Sequence, residues 1–286
     1  MEKIASKIER KGKITFSFLL LFWARLCYAC GVNKFVLALK KGFEAFENAL
    51  FVECSCLVCG RECADTQTLI CEDCKKDLIK ISGHVCKKCG MPIEKSQLLC
   101  DECKNSDLFF DMARAAFLFD DKSANIVYGL KYFNHKYNAK HMAILVIEPL
   151  QEFGKFDMFV PVPLHPNRFR ERGYNQSELL ANELSALTSI PTNTTCLARK
   201  IETETQTGKT KAERAANMVG AFEIKNKIEV VGKSVVLIDD VFTTGATVNE
   251  CARVLKRAGA AKVFVLTFLK TTSFGSKTKT KRRTKH

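Results

Sequence analysis

The chain has 286 residues, 47% of them hydrophobic and 27% charged, with only 6 prolines. That excludes a disordered or fibrous chain and leaves room for one full domain plus a smaller module, with a core that needs no disulfide framework. The net charge is +14, but the last ten residues, KTKTKRRTKH, hold six bases and no acid, so the globular part is only mildly basic and a chain-wide polycation is excluded.

Residues 1–50 form an apolar and basic extension. Lys3, Lys7, Arg10, Lys11 and Lys13 precede ITFSFLLLFWA, and Arg25 interrupts the run. The apolar stretch Ile14–Ala24 is too short to span a bilayer comfortably, so no integral membrane span is expected. A helix packed on the rest of the protein, or an extension with no task, is the plain reading. Peripheral contact with the inner face of a membrane is the alternative.

Fourteen cysteines is a high count, and twelve of them lie between residues 27 and 103. Eight form Cys-x-x-Cys doublets: Cys56/Cys59, Cys71/Cys74, Cys86/Cys89 and Cys100/Cys103. Tetrahedral zinc sites use this doublet spacing, whereas disulfide-rich secreted domains rarely show it. CLVCG followed by CEDC, then CKKCG followed by CDEC, is an internal duplication of one zinc-ribbon unit. Residues 54–105 are thus expected to be a double zinc ribbon holding two structural Zn2+ in a reducing, cytoplasmic compartment. Pairing of the doublets in sequence and crossed pairing are both compatible with the spacing. All-cysteine coordination leaves no open position, so either pairing is structural rather than catalytic. Cys27/Cys30 and Cys54/Cys63 have no evident partners. Cys196 and Cys251 read as buried or surface thiols.

From 106 to 272 the pattern changes to alternating strands and helices. Strands are expected over Ala113–Phe119, Met158–Val162, Ser234–Ile238 and Lys262–Phe268. Helices are expected over Ser123–Tyr132, Ala139–Gln151, Asn175–Leu187 and Thr247–Ala258. Arg199–Asn217 is polar and threonine-rich and reads as a long loop. A strand, a crossover helix and a strand at this spacing imply parallel pairing. Residues 273–286 read as a basic, solvated tail, with sequence-independent contact to nucleic acid or anionic lipid as the sharper alternative.

The densest motif is VVLIDDVFTTGAT, residues 235–247. A buried parallel strand should deliver Asp239 and Asp240 to its carboxyl end, where open α/β sheets bind ligands. Paired carboxylates there suit the two hydroxyls of a ribose and, through water, a divalent cation. After Val241, the stretch Thr243, Thr244, Gly245, Ala246 and Thr247 opens a helix, whose free N–H groups and dipole suit a phosphate. A paired aspartate that merely caps a helix is the plain alternative.

This segment closely resembles the phosphoribosyl pyrophosphate signature of type I phosphoribosyltransferases. With PVPLH at 161–165, RFRERGYNQSELLA at 168–181, Gln206, Arg214 and Asn217 before Gly220–Phe222, and the duplicated cysteine unit, the chain resembles the ComF family, which is associated with natural transformation and DNA uptake. The resemblance covers about residues 56–270. It implies a parallel-sheet α/β fold of the type I phosphoribosyltransferase kind, preceded by the ribbon module, and phosphoribosyl pyrophosphate bound with Mg2+. By position, Asp239 and Asp240 would hold the ribose, and Val241 and Thr243–Thr247 would line the 5′-phosphate. Pro161, Val162, Pro163 and Leu164 would form the pyrophosphate loop. Arg168, Arg170 and Arg172 would supply guanidinium groups, Arg172 first, although three arginines at alternate positions also suit a solvated extended edge. Tyr174, Asn175 and Gln176 would line the acceptor side or start a helix with Asn175 as its cap. Lys209, Lys211 and Arg214 would lie on a loop closing over the ligand. Two functions follow: a phosphoribosyltransferase with an unidentified acceptor, or a non-catalytic, ligand-gated module that touches single-stranded DNA or an uptake-machinery partner. No general base and no acceptor pocket is legible. Thr243 stands where hypoxanthine-type relatives place a carboxylate, so that specificity is not implied.

Overall fold

The structure is a computed structural model and describes residues 55–132, 135–201 and 218–272. The extension at 1–50, Cys27, Cys30, Cys54, Gln206, Lys209, Lys211, Arg214, Asn217 and the basic tail lie outside the described residues. All described residues belong to one compact unit, Cys54–His286.

Short helices α1 (Glu72–Asp77) and α2 (Asp101–Lys104) begin at the second doublet of each ribbon. Then follow β1 (Met112–Leu118), α3 (Asp121–Tyr132), α4 (Asn138–Leu145), α5 (Ile147–Gln151), β2 (Met158–Pro161), α6 (Pro166–Arg172) and α7 (Gln176–Thr188). The chain continues through β3 (Leu197–Arg199), β4 (Phe222–Ile224), β5 (Ser234–Phe242), α8 (Ala246–Arg257) and β6 (Lys262–Lys270). Four strands form a sheet in the order β1-β6-β5-β2. All three pairings within it are parallel, as the crossover spacing predicts. β3 and β4 form a separate antiparallel pair.

The strands are buried on both faces and read as near-continuous apolar runs, with alternate residues serving different cores. Val236 and Ile238 join Ile126, Leu130, Met142, Leu180 and Leu184 from α3, α4 and α7. Val235 and Leu237 join Val248, Cys251 and Leu255 from α8, with Leu197 and Phe222 from the small sheet. The helix expected over Ala139–Gln151 is broken at Val146, whose backbone leaves the helical region (φ −97°, ψ 1°). Pro149 explains the break: its ring conflicts with the carbonyl of Leu145 and it has no N–H to donate.

The ribbons serve both cores. Cys56, Val58, Cys63, Ile70, Cys74 and Leu78 of the first unit pack in the α3–α4–α7 core. Cys86 and Cys89 of the second unit pack in the α8 core. Between them the chain runs along the outer edge of β1: Ile81 N–H donates to Ala116 O (2.9 Å) and Leu118 N–H to Ile79 O (2.9 Å). The opposite edge, β2, is covered by Pro191–Asn193 through Phe159 N–H to Pro191 O (2.9 Å) and Asn193 N–H to Phe159 O (2.8 Å). Both unpaired edges are thereby satisfied.

Candidate functional site

β5 runs four residues further than its apolar stretch suggests. Asp239 and Asp240 therefore lie within the strand rather than beyond it, with Asp239 in register with Thr267 of β6. Both carboxylates are desolvated. Asp240 is 5% exposed, and its Oδ2 is ion-paired with Lys131 Nζ of α3. Asp239 Oδ1 accepts from Ser177 Oγ (3.1 Å) and from the backbone N–H of Asp240 (3.0 Å). Burial, followed by the neighbouring Asp240 charge, raises the Asp239 pKa to about 7. For Lys131, burial lowers the pKa and Asp240 more than reverses it, so the net shift is upward and the ammonium stays charged.

After Phe242 the chain turns through Thr243–Gly245. Gly245 takes a left-handed conformation (φ 76°) at the N-terminus of α8 and, as its N-cap residue, offers no side chain to cap the helix. A Cβ there would lie 2.6 Å from Phe242 Cζ, so only glycine allows the turn to fold back on the ring. Thr244 Oγ1 accepts from Ala246 N–H (3.3 Å), and Thr247 Oγ1 donates to Sδ of Met218 (3.5 Å). Asn249 N–H reaches back to Gly245 O (2.8 Å) and closes the first turn of α8.

Pro161–Leu164 leaves β2 beside this strand end, with Val162 N–H donating to Ile238 O (2.9 Å). Asn175 caps α7 by accepting from Ser177 N–H (3.1 Å), and its Nδ2 donates to Val162 O (3.0 Å). It is thus a brace between the two segments as well as a helix cap. Tyr174 is buried and its hydroxyl donates to Leu130 O (2.5 Å). The arginines are not on an extended edge: Pro166–Arg172 is helical, capped by His165 and ended by Gly173 at φ 77°. At helical spacing Arg168 and Arg172 share one face, and Arg170 points about half a turn away. Arg170 is engaged by Asn167. Arg172 donates to Gln176 Oε1 (2.6 Å), and its guanidinium lies 5.7 Å from the centroid of the Tyr132 ring.

Lys131 and Ser177 complete the immediate contacts of the carboxylates; Lys131 lies in no motif, and Ser177 lies in RFRERGYNQSELLA without a role being legible for it. A lysine in the last turn of a helix ordinarily complements the helix dipole in solvent. Only the packing of α3 over the sheet brings this one to Asp240.

The eight doublet cysteines gather into two groups in chain order, Cys56, Cys59, Cys71 and Cys74, then Cys86, Cys89, Cys100 and Cys103, and within each group the sulfurs lie within 4.8 Å of one another. Crossed pairing is thus absent. Cys59 and Cys71 sulfurs are 3.8 Å apart, and those of Cys89 and Cys100 3.7 Å apart. A tetrahedron with Zn–S bonds of about 2.3 Å has edges of about 3.8 Å, so zinc fits both sets. The duplication extends to the backbone. Gly60 N–H donates to Cys56 O (2.8 Å) and Gly90 N–H to Cys86 O (2.9 Å); Cys71 N–H and Cys100 N–H each donate to a ligand sulfur, Cys56 and Cys86, at 3.4 Å. Arg61 stands beside the first group, its Nε donating to Cys59 Sγ (3.5 Å). Cys63, Cys196 and Cys251 are buried outside both groups.

Two family models match the chain: a double zinc ribbon domain over residues 48–104 and a phosphoribosyl transferase domain over residues 171–285. Competence protein ComFC from Bacillus subtilis is 30% identical over 203 residues, covering 67% of this chain and 80% of that protein. The chain belongs to the ComF family. Other ComF relatives are Competence protein F from Haemophilus influenzae, 26% identical over 75% of this chain and 96% of that one, and the DNA utilization protein YhgH from Escherichia coli, 29% identical over 73% and 94%. As a ComF protein the chain combines a structural zinc module with a transferase-class α/β domain. Among the described residues no helix is long and apolar enough to cross a membrane.

Proposed function

We propose that residues 106–272 bind phosphoribosyl pyrophosphate and transfer its phosphoribosyl group to an acceptor, in support of DNA uptake or use. The carrying observation is the adjacency of three features: two desolvated carboxylates towards the end of a central parallel strand, a glycine turn opening a helix, and the Pro161–Leu164 segment beside them. The carboxylates suit the ribose hydroxyls, and the helix N-terminus and Thr243–Thr247 suit the 5′-phosphate. Pro161–Leu164, with Arg172 and Arg168 on one face of α6, suits the diphosphate. A magnesium ion held through water by the hard carboxylate oxygens would neutralise diphosphate charge.

In the reaction the bond from the anomeric carbon to the pyrophosphate oxygen breaks, and its electron pair leaves with pyrophosphate. A lone pair on the acceptor forms the new bond to that carbon, and the acceptor's proton passes to solvent or to a base. The chain's own contribution is to hold the sugar still and to place cations at the leaving group. Reduced cysteine ligands and this donor suit the cytoplasm.

A second reading is favoured by one surface. Tyr128, Tyr132 and Tyr137 are 44%, 69% and 50% exposed near the site, and Arg172 lies over the ring of Tyr132. Exposed rings interleaved with cations suit stacking of unpaired bases, so a ligand-gated module that grips single-stranded DNA is the alternative. The discriminating experiment incubates the protein with phosphoribosyl pyrophosphate, Mg2+ and candidate acceptors and follows pyrophosphate release. Release abolished by Asp239→Ala with Asp240→Ala supports the transferase. Ligand binding without release, coupled to a change in oligonucleotide affinity, supports the module. A wild type that binds no phosphoribosyl pyrophosphate sinks both.

A further inference from the structure

The ion pair of Lys131 with Asp240 conflicts with a task assigned to Asp240. Asp240 Oδ2 is buried, and among the described residues no hydrogen-bond donor other than this lysine reaches it. If the carboxylate is to accept from a ribose hydroxyl, the ammonium stands where the sugar's donor must come.

Lys131 is well placed to move. It sits in the last turn of α3, and 21% of its side chain remains exposed against 7% for Asp240. Four flexible methylenes carry its charge. The next residue, Tyr132, lies under the guanidinium of Arg172. Lys131 therefore borders both Asp240 and the neighbourhood of Arg172, the guanidinium assigned above to the diphosphate.

We propose that Lys131 is a hand-over residue of the phosphoribosyl site: it neutralises Asp240 while the site is empty and turns to the ligand's diphosphate oxygens when the ribose takes its place. This rests on the ribose-phosphate reading above. In the empty site the ammonium offsets Asp240 and leaves at most the charge of Asp239, which limits cation binding before the donor arrives. In the filled site the ribose hydroxyls satisfy Asp240, and the freed ammonium meets a polyanion, where its attraction is greater. The exchange keeps a buried carboxylate from standing unpaired in either state.

The test compares wild type, Lys131→Met and Lys131→Arg. Calorimetry measures phosphoribosyl pyrophosphate binding in Mg2+, and electron paramagnetic resonance measures Mn2+ binding without it. Lys131→Met should bind Mn2+ alone about fivefold more tightly and phosphoribosyl pyrophosphate at least about tenfold more weakly. The arginine variant should keep the weak Mn2+ binding of the wild type. A purely structural lysine would not move these two affinities in opposite directions. To remove any dependence on how the methionine variant folds, the Lys131 15Nζ resonance of the wild type, assigned by its loss in Lys131→Arg, is followed on addition of donor and Mg2+. It should shift. An unmoved resonance, or a methionine variant that binds donor as tightly as wild type, overturns the hand-over while leaving the ribose-phosphate reading intact. A wild type that binds no donor fails the reading itself.

Discussion

Lys270, at the end of β6, holds its ammonium 3.7 Å from the centroid of the Phe242 ring while only 3% exposed. Burial pushes the Lys270 pKa down, and the nearby Cys89, Cys103 and Cys100 of the second cysteine group partly oppose that shift. Phe242 in turn meets the edge of Phe110, with ring centroids 6.0 Å apart. The Thr243–Gly245 turn and the second ribbon are thus linked through one buried cation and two rings. With zinc bound, the tetrathiolate centre would carry two net negative charges, which the buried Lys270 would offset. Lys270→Met should lower Tm by about 5–10 °C and speed chelator-driven zinc release from one of the two centres only. A metallochromic dye would read a biphasic trace with only one phase altered. Uniform acceleration of both phases would contradict the pairing.

Gly245 is constrained twice, by φ 76° and by the Phe242 ring 2.6 Å from a would-be Cβ. Gly245→Ala should cost about 1–3 kcal/mol, since both the conformation and the contact are unfavourable. Denaturant unfolding measures the loss. Gly83 is also left-handed (φ 78°) but opens on empty space. Gly83→Ala should therefore cost less, about 1 kcal/mol, and leave donor binding unchanged.

Asp239 offers a pH test. Its folded pKa of about 7 lies above its ordinary value of 3.8, so the folded state holds the proton more tightly than the unfolded chain does. Its contribution to stability is full below about pH 4 and is lost as the pH rises through about 7. Asp239→Asn cannot ionise and keeps an oxygen for Ser177. The ligand-free variant should match wild type near pH 4 and exceed it by about 5 °C in Tm above pH 7. Donor affinity should fall sharply in the same variant. Thermal melts across pH 4–8.5 supply the check, and a difference independent of pH would count against the shift.

Arg114 fastens the second ribbon to β1. It is 8% exposed, and its Nη1 donates to the carbonyls of Ala113 (2.8 Å), Lys87 (3.4 Å) and Cys86 (3.5 Å). Its Nε engages Glu152, whose side chain is 48% exposed. Arg114→Met removes the guanidinium donor from Ala113 O and Lys87 O, while Cys86 O keeps Gly90 N–H, and should cost about 2–4 kcal/mol. Glu152→Gln removes only a half-solvated partner and should cost less than about 1 kcal/mol. Urea unfolding of the two variants side by side tests the asymmetry.

The motifs that could be read directly are those whose physics is local. The Cys-x-x-Cys-Gly doublets carry their own turn geometry, so the ribbons and their duplication follow from spacing. VVLIDDVFTTGAT encodes a strand, a turn and a helix start within thirteen residues. The boundaries were less legible. The apolar run stops at Ile238, yet β5 continues to Phe242 because β6 keeps pairing with it through Lys270. The arginines of α6 alternate as they would on an extended edge, but Pro166 at the first turn and Gly173 at the end make the segment helical.

The sequence by itself determined the parallel α/β domain, the four cysteine doublets and the pair Asp239 and Asp240, because each is written in a short pattern with one stable local outcome. Only the tertiary structure decided that the doublets pair in chain order, that the two ribbons feed opposite cores across the edge of β1, and that Lys131 stands against Asp240. Those relationships join residues far apart in the chain. A lysine at the end of a helix or a carbonyl at the edge of a strand has no local signature of its partner; burial against a shared sheet selects it, since in a low-dielectric interior a charge or a backbone group must find its complement.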